Sequence, residues 1–350
     1  MNNKTSRGLF LTLIFTVSFR VAGQDTISIV AVGDIMLGTL YPETKYLPSN
    51  NDCSFIMADV NQILNDADVT LGNLEGTFCG DTTEVKKCKN PKVCYRFCMP
   101  DHFVKCLKDA GFDLLSIANN HIYDFGLSGL RNTMEVLSNA GIKYAGVISH
   151  PWDTIHLKSG IVIGFTAFSP NRGTLNINNY DLLRSIIDTL KKFSDIIIVS
   201  FHGGAEGSKY THVPKEQEIF LGEKRGNVYE FAHKAIDFGA DIVIGHGPHV
   251  PRAFELYKGR FIAYSLGNFA TYKRFNLSGP NGIAPILKVF VDSNGKFLKA
   301  QVISIYQDEN TGVNIDTLHR AYKLIEQLTQ QDFPETSLQF KIPYVLPDIN

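Results

Sequence analysis

The chain has almost no excess charge of either sign: 34 Lys and Arg stand against 35 Asp and Glu, for a formal net charge of −1. That balance excludes a protein held on nucleic acid by charge alone, because such affinity needs many cations displacing counterions from phosphate. Within the body of the chain no apolar run reaches the length that spans a bilayer. Internal repeats, low-complexity blocks and long linkers are missing too, so one domain with a local insertion is the simplest organisation. Cysteine is absent after residue 106. What is present is an ordinary globular composition, 44% hydrophobic with 24 Phe and 14 Tyr among 350 residues, which excludes intrinsic disorder.

The N-terminus has the pattern of a processing segment. Lys4 and Arg7 precede an apolar stretch from Gly8 to Phe19, and Val21-Ala22-Gly23 offers a cleavage site. Residues 1–23 are therefore expected to be a signal peptide and 24–350 the mature chain. The alternative is an uncleaved anchor, although Arg20 interrupts its boundary. Either way the protein is expected to be exported, whether secreted, periplasmic or at the cell surface. Export gives meaning to the six cysteines, Cys53, Cys79, Cys88, Cys94, Cys98 and Cys106. In an oxidising compartment an even number implies disulfides, with the connectivity left open. A zinc knot fits less well, since only Cys94 and Cys98 form a short pair. The Lys-rich stretch 76–99 then becomes a cross-linked insertion, expected to be architectural rather than chemical.

Short β-branched runs alternate with amphipathic stretches. Strands are expected at 27–32, 67–71, 113–118, 161–168, 195–201, 241–245 and 261–266, with helices at 55–67, 100–110, 127–140, 180–193 and 214–238. Such alternation indicates an α/β class with a largely internal sheet. The core is expected over 27–285. A hairpin (286–291 with 298–305) and a helix over 315–330 follow it.

The polar residues gather where these strands end. Asp34 follows the first strand, Asn73 and Glu75 the second, Asn119-Asn120-His121 the third. His202, with Glu206 beyond it, closes a fourth, and His246 and His249 close a fifth. Taken singly, Asp34 reads as a helix cap and Asn119 or Asn120 as turn formers. Jointly they deliver carboxylate, carboxamide and imidazole groups to the carboxyl edge of the sheet, where open α/β proteins bind ligands. That donor set suits Mn, Zn or Fe, as one ion or two, and two adjacent ions would activate a water for displacement. His102, His150, His156, His212, His233 and His319 lack this context and read as structural or surface residues.

Those motifs carry a resemblance. Val32-Gly33-Asp34-Ile35-Met36, Gly72-Asn73-Leu74-Glu75-Gly76, Asn119-Asn120-His121 with Asp124, the block from Gly239 to Val250, and Tyr264 to Phe269 are similar to the CapA-type poly-γ-glutamate (capsule) biosynthesis proteins. That branch resembles the calcineurin-like metallophosphoesterases. The resemblance implies a two-sheet sandwich flanked by helices (α/β/β/α). It implies metal ligation by Asp34, Glu75, Asn120, His202, His246 and His249, with His121 as the catalytic proton donor. Glu206, Ser265 and Asn268 would line the substrate pocket. Met36 stands where ordinary metallophosphoesterases carry a ligating His, a departure usual in the CapA-like branch. Gly203 stands where the branch often has Trp, which predicts an opened space beside His202.

The function expected from all this is metal-dependent work on a polyglutamate or capsule-type polymer, in its production, release or attachment. A metal-bound hydroxide would attack an amide or ester carbonyl. The partners implied are a polyanionic polymer or a small ester as substrate and a synthase complex at the membrane, with no role for nucleic acid. Two other readings stay open: a secreted phosphoesterase, and a non-catalytic metal-binding partner of a polymer synthase.

Overall fold

Along Ile196–His202 successive side chains turn to opposite faces, as a strand requires. Ile196 and Ile198 meet Ile163, Phe165, Ile242 and Ile244, and also Ile29, Leu71 and Leu287 from a different sheet. Ile197, Val199 and Phe201 point the other way, onto Leu183, Ile187, Phe231 and Ala235 of two helices. A chain with apolar residues on both faces of its strands must be covered on both faces, and here two sheets face each other with helices outside. The computed structural model describes residues 26–87 and 94–347. The signal peptide expected at 1–23 lies outside them.

In the first sheet Ile27–Met36 is central, with Val69–Leu74, Leu114–Ser116 and Lys143–Ala145 following outward in parallel. On its other side the hairpin Ile283–Val291 and Phe297–Asp308 runs antiparallel. Leu338–Lys341 and Tyr344–Pro347 extend that side from the tail. The second sheet centres on Ile196–His202 and Ile242–His246, parallel to each other and to Val162–Phe168 and Arg260–Ala263. Gly126–Asn139 and Val104–Asp109 cover the outer face of the first sheet through Leu130, Leu137 and Leu107. Tyr180–Leu190 and Val228–Phe238 cover the second. The α/β/β/α order expected from the sequence is the order observed.

Three elements differ from the sequence reading. The helix expected over 55–67 is mostly a 3-10 helix, Ser54–Val60, and only Asn61–Asn65 is α-helical. The helix expected over 214–238 begins only at Val228, where the Asn227 side chain accepts the Glu230 N–H at 3.0 Å. Ahead of it lies a small hairpin, Glu218–Phe220 with Glu223–Gly226, because Leu221 and Gly222 (φ 50° and 80°) turn the chain left-handed and end any helix. The last helix is Arg320–Asp332 instead of 315–330. Gly312–Ile315 is drawn off to pair with Phe297–Asp308, and Asp316 then accepts the Arg320 N–H at 2.9 Å.

Cys53 lies at disulfide distance from Cys106, and Cys79 from Cys98. Cys88 falls outside the described residues. Among the described residues no helix is long and apolar enough to cross a membrane.

Candidate metal centre

Parallel register sets the polar strand ends side by side. In the first sheet Asp34 is level with Asn73 on one neighbour and with Asn268 of the short strand Asn268–Thr271 on the other. In the second sheet His202 is level with His246. Gly245 makes the last step possible, since a Cβ there would run into the Tyr264 carbonyl.

All these side chains meet at one edge of the sandwich. Ligand atoms of Asp34, Glu75 and His202 lie within 4.8 Å of one another, and all three residues are fully buried. His246 Nδ1 is 3.7 Å from Asp34 Oδ1, and His249 Nδ1 donates to Asp34 Oδ2 at 2.8 Å. His249 holds a left-handed backbone (φ 58°), a conformation that costs on the order of 1–3 kcal/mol. Its carbonyl is gripped by the carboxamides of Asn268 and Asn281, each donating at 3.2 Å. His121 stands beside this group, with Nε2 3.8 Å from Glu75 Oε1 and Nδ1 donating to Asp124 Oδ2 at 2.6 Å.

Electrostatics follow from burial and these neighbours. Burial opposes charge on Glu75, yet His202 beside it, with His121 and His249, holds its carboxyl well below the usual carboxylate range. Burial pushes His246 down to about 4, although Asp34 pulls the other way. Burial would lower His249 as well, but the hydrogen bond and charge of Asp34 lift it to about 9.

Buried polar atoms almost always have a partner. Here Glu75 Oε1, Asn120 Oδ1, Asn268 Oδ1 and both ring nitrogens of His202 and His246 have none. Seven orphaned donor atoms in one region make a costly arrangement for a folded chain, and carboxylate, carboxamide and imidazole are the donors that a borderline divalent cation takes. The residues fit such an ion.

Several residues take places that the sequence does not assign. Asn73 Nδ2 donates to Asp34 Oδ1 at 2.8 Å and to Glu75 Oε2 at 2.6 Å, tying the two carboxylates together. Asn119 supports it, donating to Asn73 Oδ1 at 3.1 Å. Asn73 stands among the strand-end polar groups of the sequence and Asn119 reads there as a turn former, and only strand register reveals how the two are used. The Cys-rich insertion is no bystander either. Its Lys86 donates to the Asn120 carbonyl at 2.9 Å and pairs with Asp124, while its Phe97 ring lies 4.4 Å from the His121 ring.

Two expectations change at closer range, those for Ser265 and for Gly203. Ser265 is fully buried and donates to the Val250 carbonyl at 2.7 Å, so its hydroxyl braces a turn instead of facing a substrate. Glu206 is ion-paired with Arg225, at the His249 side of the site. No space opens at Gly203, because a Cβ there would meet the Arg225 carbonyl and Ile177. Met36 is buried, and its sulfur accepts the Gly38 N–H at 3.3 Å, away from any ligating role.

Residues 28–273 match the family described as bacterial capsule synthesis protein PGA_cap. The chain belongs to that family. Every cation-site residue named above lies within the match, and the antiparallel strands from Ile283 onward lie beyond it. Among curated relatives, the capsule biosynthesis protein CapA of Bacillus anthracis is 29% identical over 266 residues, covering 70% of this chain and 60% of its own length. The PGA biosynthesis protein CapA of Bacillus subtilis is 29% identical over 269 residues, covering 73% and 66%. The chain thus spans less than two thirds of either relative. Among solved structures, a purple acid phosphatase from yellow lupin seeds overlaps with a TM-score of 0.44 at 9% identity, covering 84% of this chain and 53% of that one.

Proposed function

We propose that this family member is an exported, metal-dependent hydrolase that cuts an amide or ester bond in a polyglutamate or capsule-type polymer during its production, release or attachment. One observation carries the reading: both nitrogens of His202 and of His246 are buried without a hydrogen-bond partner, against the carboxylates of Glu75 and Asp34.

Asp34, Glu75, His202 and His246 would hold the ion or ions, with Asn120 Oδ1 and the Nε2 of His249 as further donors. A divalent cation there supplies Lewis acidity and lowers the pKa of water it binds. The chain's own part is positioning. Asn73 fixes the spacing of the two carboxylates. Asn268 and Asn281 hold the His249 backbone so that its ring reaches Asp34. His121 is the proton donor to the leaving group. With Nδ1–H committed to Asp124, its Nε2 faces the site and carries the mobile proton, and the buried Asp124 carboxylate fixes the orientation of the ring. The Phe97 N–H, donating to Asp124 Oδ2 at 3.0 Å, keeps that carboxylate in place.

The test is release of amine or alcohol from γ-linked glutamate oligomers and their esters, with Mn, Zn or Fe supplied. Turnover that disappears in His202→Ala and in His121→Gln, with the ion retained in the second, supports the reading. Inactivity with every ion and substrate, by protein shown to bind the ion, would leave a non-catalytic partner of a polymer synthase.

A further inference from the structure

Arg274 is an arginine without a carboxylate. Its Nε is buried with no hydrogen-bond partner, and among the described residues its guanidinium makes no ion pair. Arg225, Arg252, Arg260 and Arg320 each pair with a carboxylate, Glu206, Glu218, Asp241 and Asp316 respectively. The Arg274 guanidinium instead lies over two tyrosine rings, 4.6 Å from the centroid of Tyr46 and 5.0 Å from that of Tyr95. Cation–π contact holds the flat group in one orientation without neutralising it. The backbone is constrained as well, because Lys273 and Arg274 are both left-handed (φ 54° and 64°). Such strain persists where the surroundings enforce it, and it clusters at ligand-binding positions.

The clamp is joined to the cation site on both sides. Phe275, the next residue, stacks on Phe97 at 5.1 Å and meets the His249 ring at 5.5 Å. Tyr95 packs on Phe97 at 6.4 Å, and Phe97 in turn lies on His121. One continuous aromatic wall therefore runs from the proposed proton donor to the unpaired guanidinium. A planar fork that is held in place and not neutralised matches a carboxylate in two-point contact, which a lysine cannot reproduce.

We propose that Arg274 reads a carboxylate of the substrate at the rim of the site, on the His121 side, and so selects acidic over neutral polymer units. This rests on the hydrolase reading for the identity of the substrate, though not for the recognition itself. Titration calorimetry on the purified chain would compare the γ-linked trimer of glutamate with the same trimer whose α-carboxylates are converted to carboxamides. Metal content is measured in the same samples. Wild type should prefer the acid by roughly ten- to a hundredfold, the range expected for hydrogen bonds to a charged group. Arg274→Gln should lose that preference with an unchanged circular dichroism spectrum, and Arg274→Lys should recover only part of it. A preference kept in Arg274→Gln, or no preference or no binding in wild type, overturns the proposal. Samples that hold no ion yet show the preference and its loss leave Arg274 standing and sink the metal reading. Samples full of ion with Arg274→Gln unchanged do the reverse.

Discussion

Among the described residues, two acid–imidazole clusters invite comparison, one around Glu255 and one around Asp34 and Glu75, and they differ most in hydrogen bonding. In the first, His233 Nε2 meets both oxygens of Glu255 at 3.0 and 2.9 Å, and the Tyr264 hydroxyl donates to the same carboxylate at 2.7 Å. Tyr257 stacks on the His233 ring at 3.8 Å. Both oxygens of that acid are answered within the protein. In the second, Asn73 links Asp34 to Glu75, yet the ring nitrogens of His202 and His246 lie beside the carboxylates without a hydrogen bond. A satisfied cluster holds a fold together, whereas an unsatisfied one needs something from outside. Residue type does not separate the two, and hydrogen bonding does.

The contrast can be broken most sharply with added cation. Mn or Zn at about a thousandfold its Kd should stabilise wild type by about 4 kcal/mol in urea melts, by mass action on the folded state. In His202→Leu that gain should vanish, while in His233→Leu it should remain. Without cation the order of damage reverses. His233→Leu should lose about 2 kcal/mol, because Glu255 is left buried beside Tyr264 alone. Under chelation His246→Leu should lose less than that or gain stability, since it removes two orphaned nitrogens from the core. Equal losses in both variants would erase the distinction between the clusters.

A smaller effect sharpens the division of labour inside the second cluster. Asp124→Asn should keep the ion and lower turnover about tenfold, since Asp124 holds the ring that moves the proton and touches none of the proposed ligands. Ion loss in that variant would place Asp124 among the holding groups.

The smallest effect lies outside both clusters. Burial lifts the Asp241 carboxyl to about 6, against the Ile197 N–H and Arg260 that pull it down. An unfolded aspartate titrates near about 3.9, so the folded chain holds the extra proton between about pH 4 and 6. Stability should therefore fall as pH rises through that window and level off above it. Asp241→Asn, which can still accept the Ile197 N–H, should flatten that part of the profile in melts taken at successive pH values.

Much of this was legible in the chain before folding. Asp34, His202 and His246 each close a β-branched run, and their joint occurrence at strand ends, more than any one of them alone, pointed to a ligand site. The layers were legible for the same reason: runs such as Ile196 to Phe201 are apolar on both faces and demand covering on both. What stayed hidden depends on register and distance. Asn73 is one more strand-end polar residue until pairing sets it level with Asp34 and shows that it ties the two carboxylates together. The stretch 214–226 carries enough helix-forming residues to read as helix, and the left-handed turn at Leu221-Gly222 overrides them. Lys86 and Phe97 belong to a polar insertion whose docking on His121 has no local signature. Arg274 is silent in sequence, because an arginine declares itself only through the partner it lacks.

Elemental analysis decides the central claim most directly. Wild type, His246→Leu and His233→Leu would each be incubated with Mn, Zn or Fe, desalted, and assayed for metal per chain. One or two equivalents in wild type and His233→Leu, with little or none in His246→Leu, is the predicted result. No retained metal in wild type with any of the three ions, or equal retention in all three proteins, would contradict it.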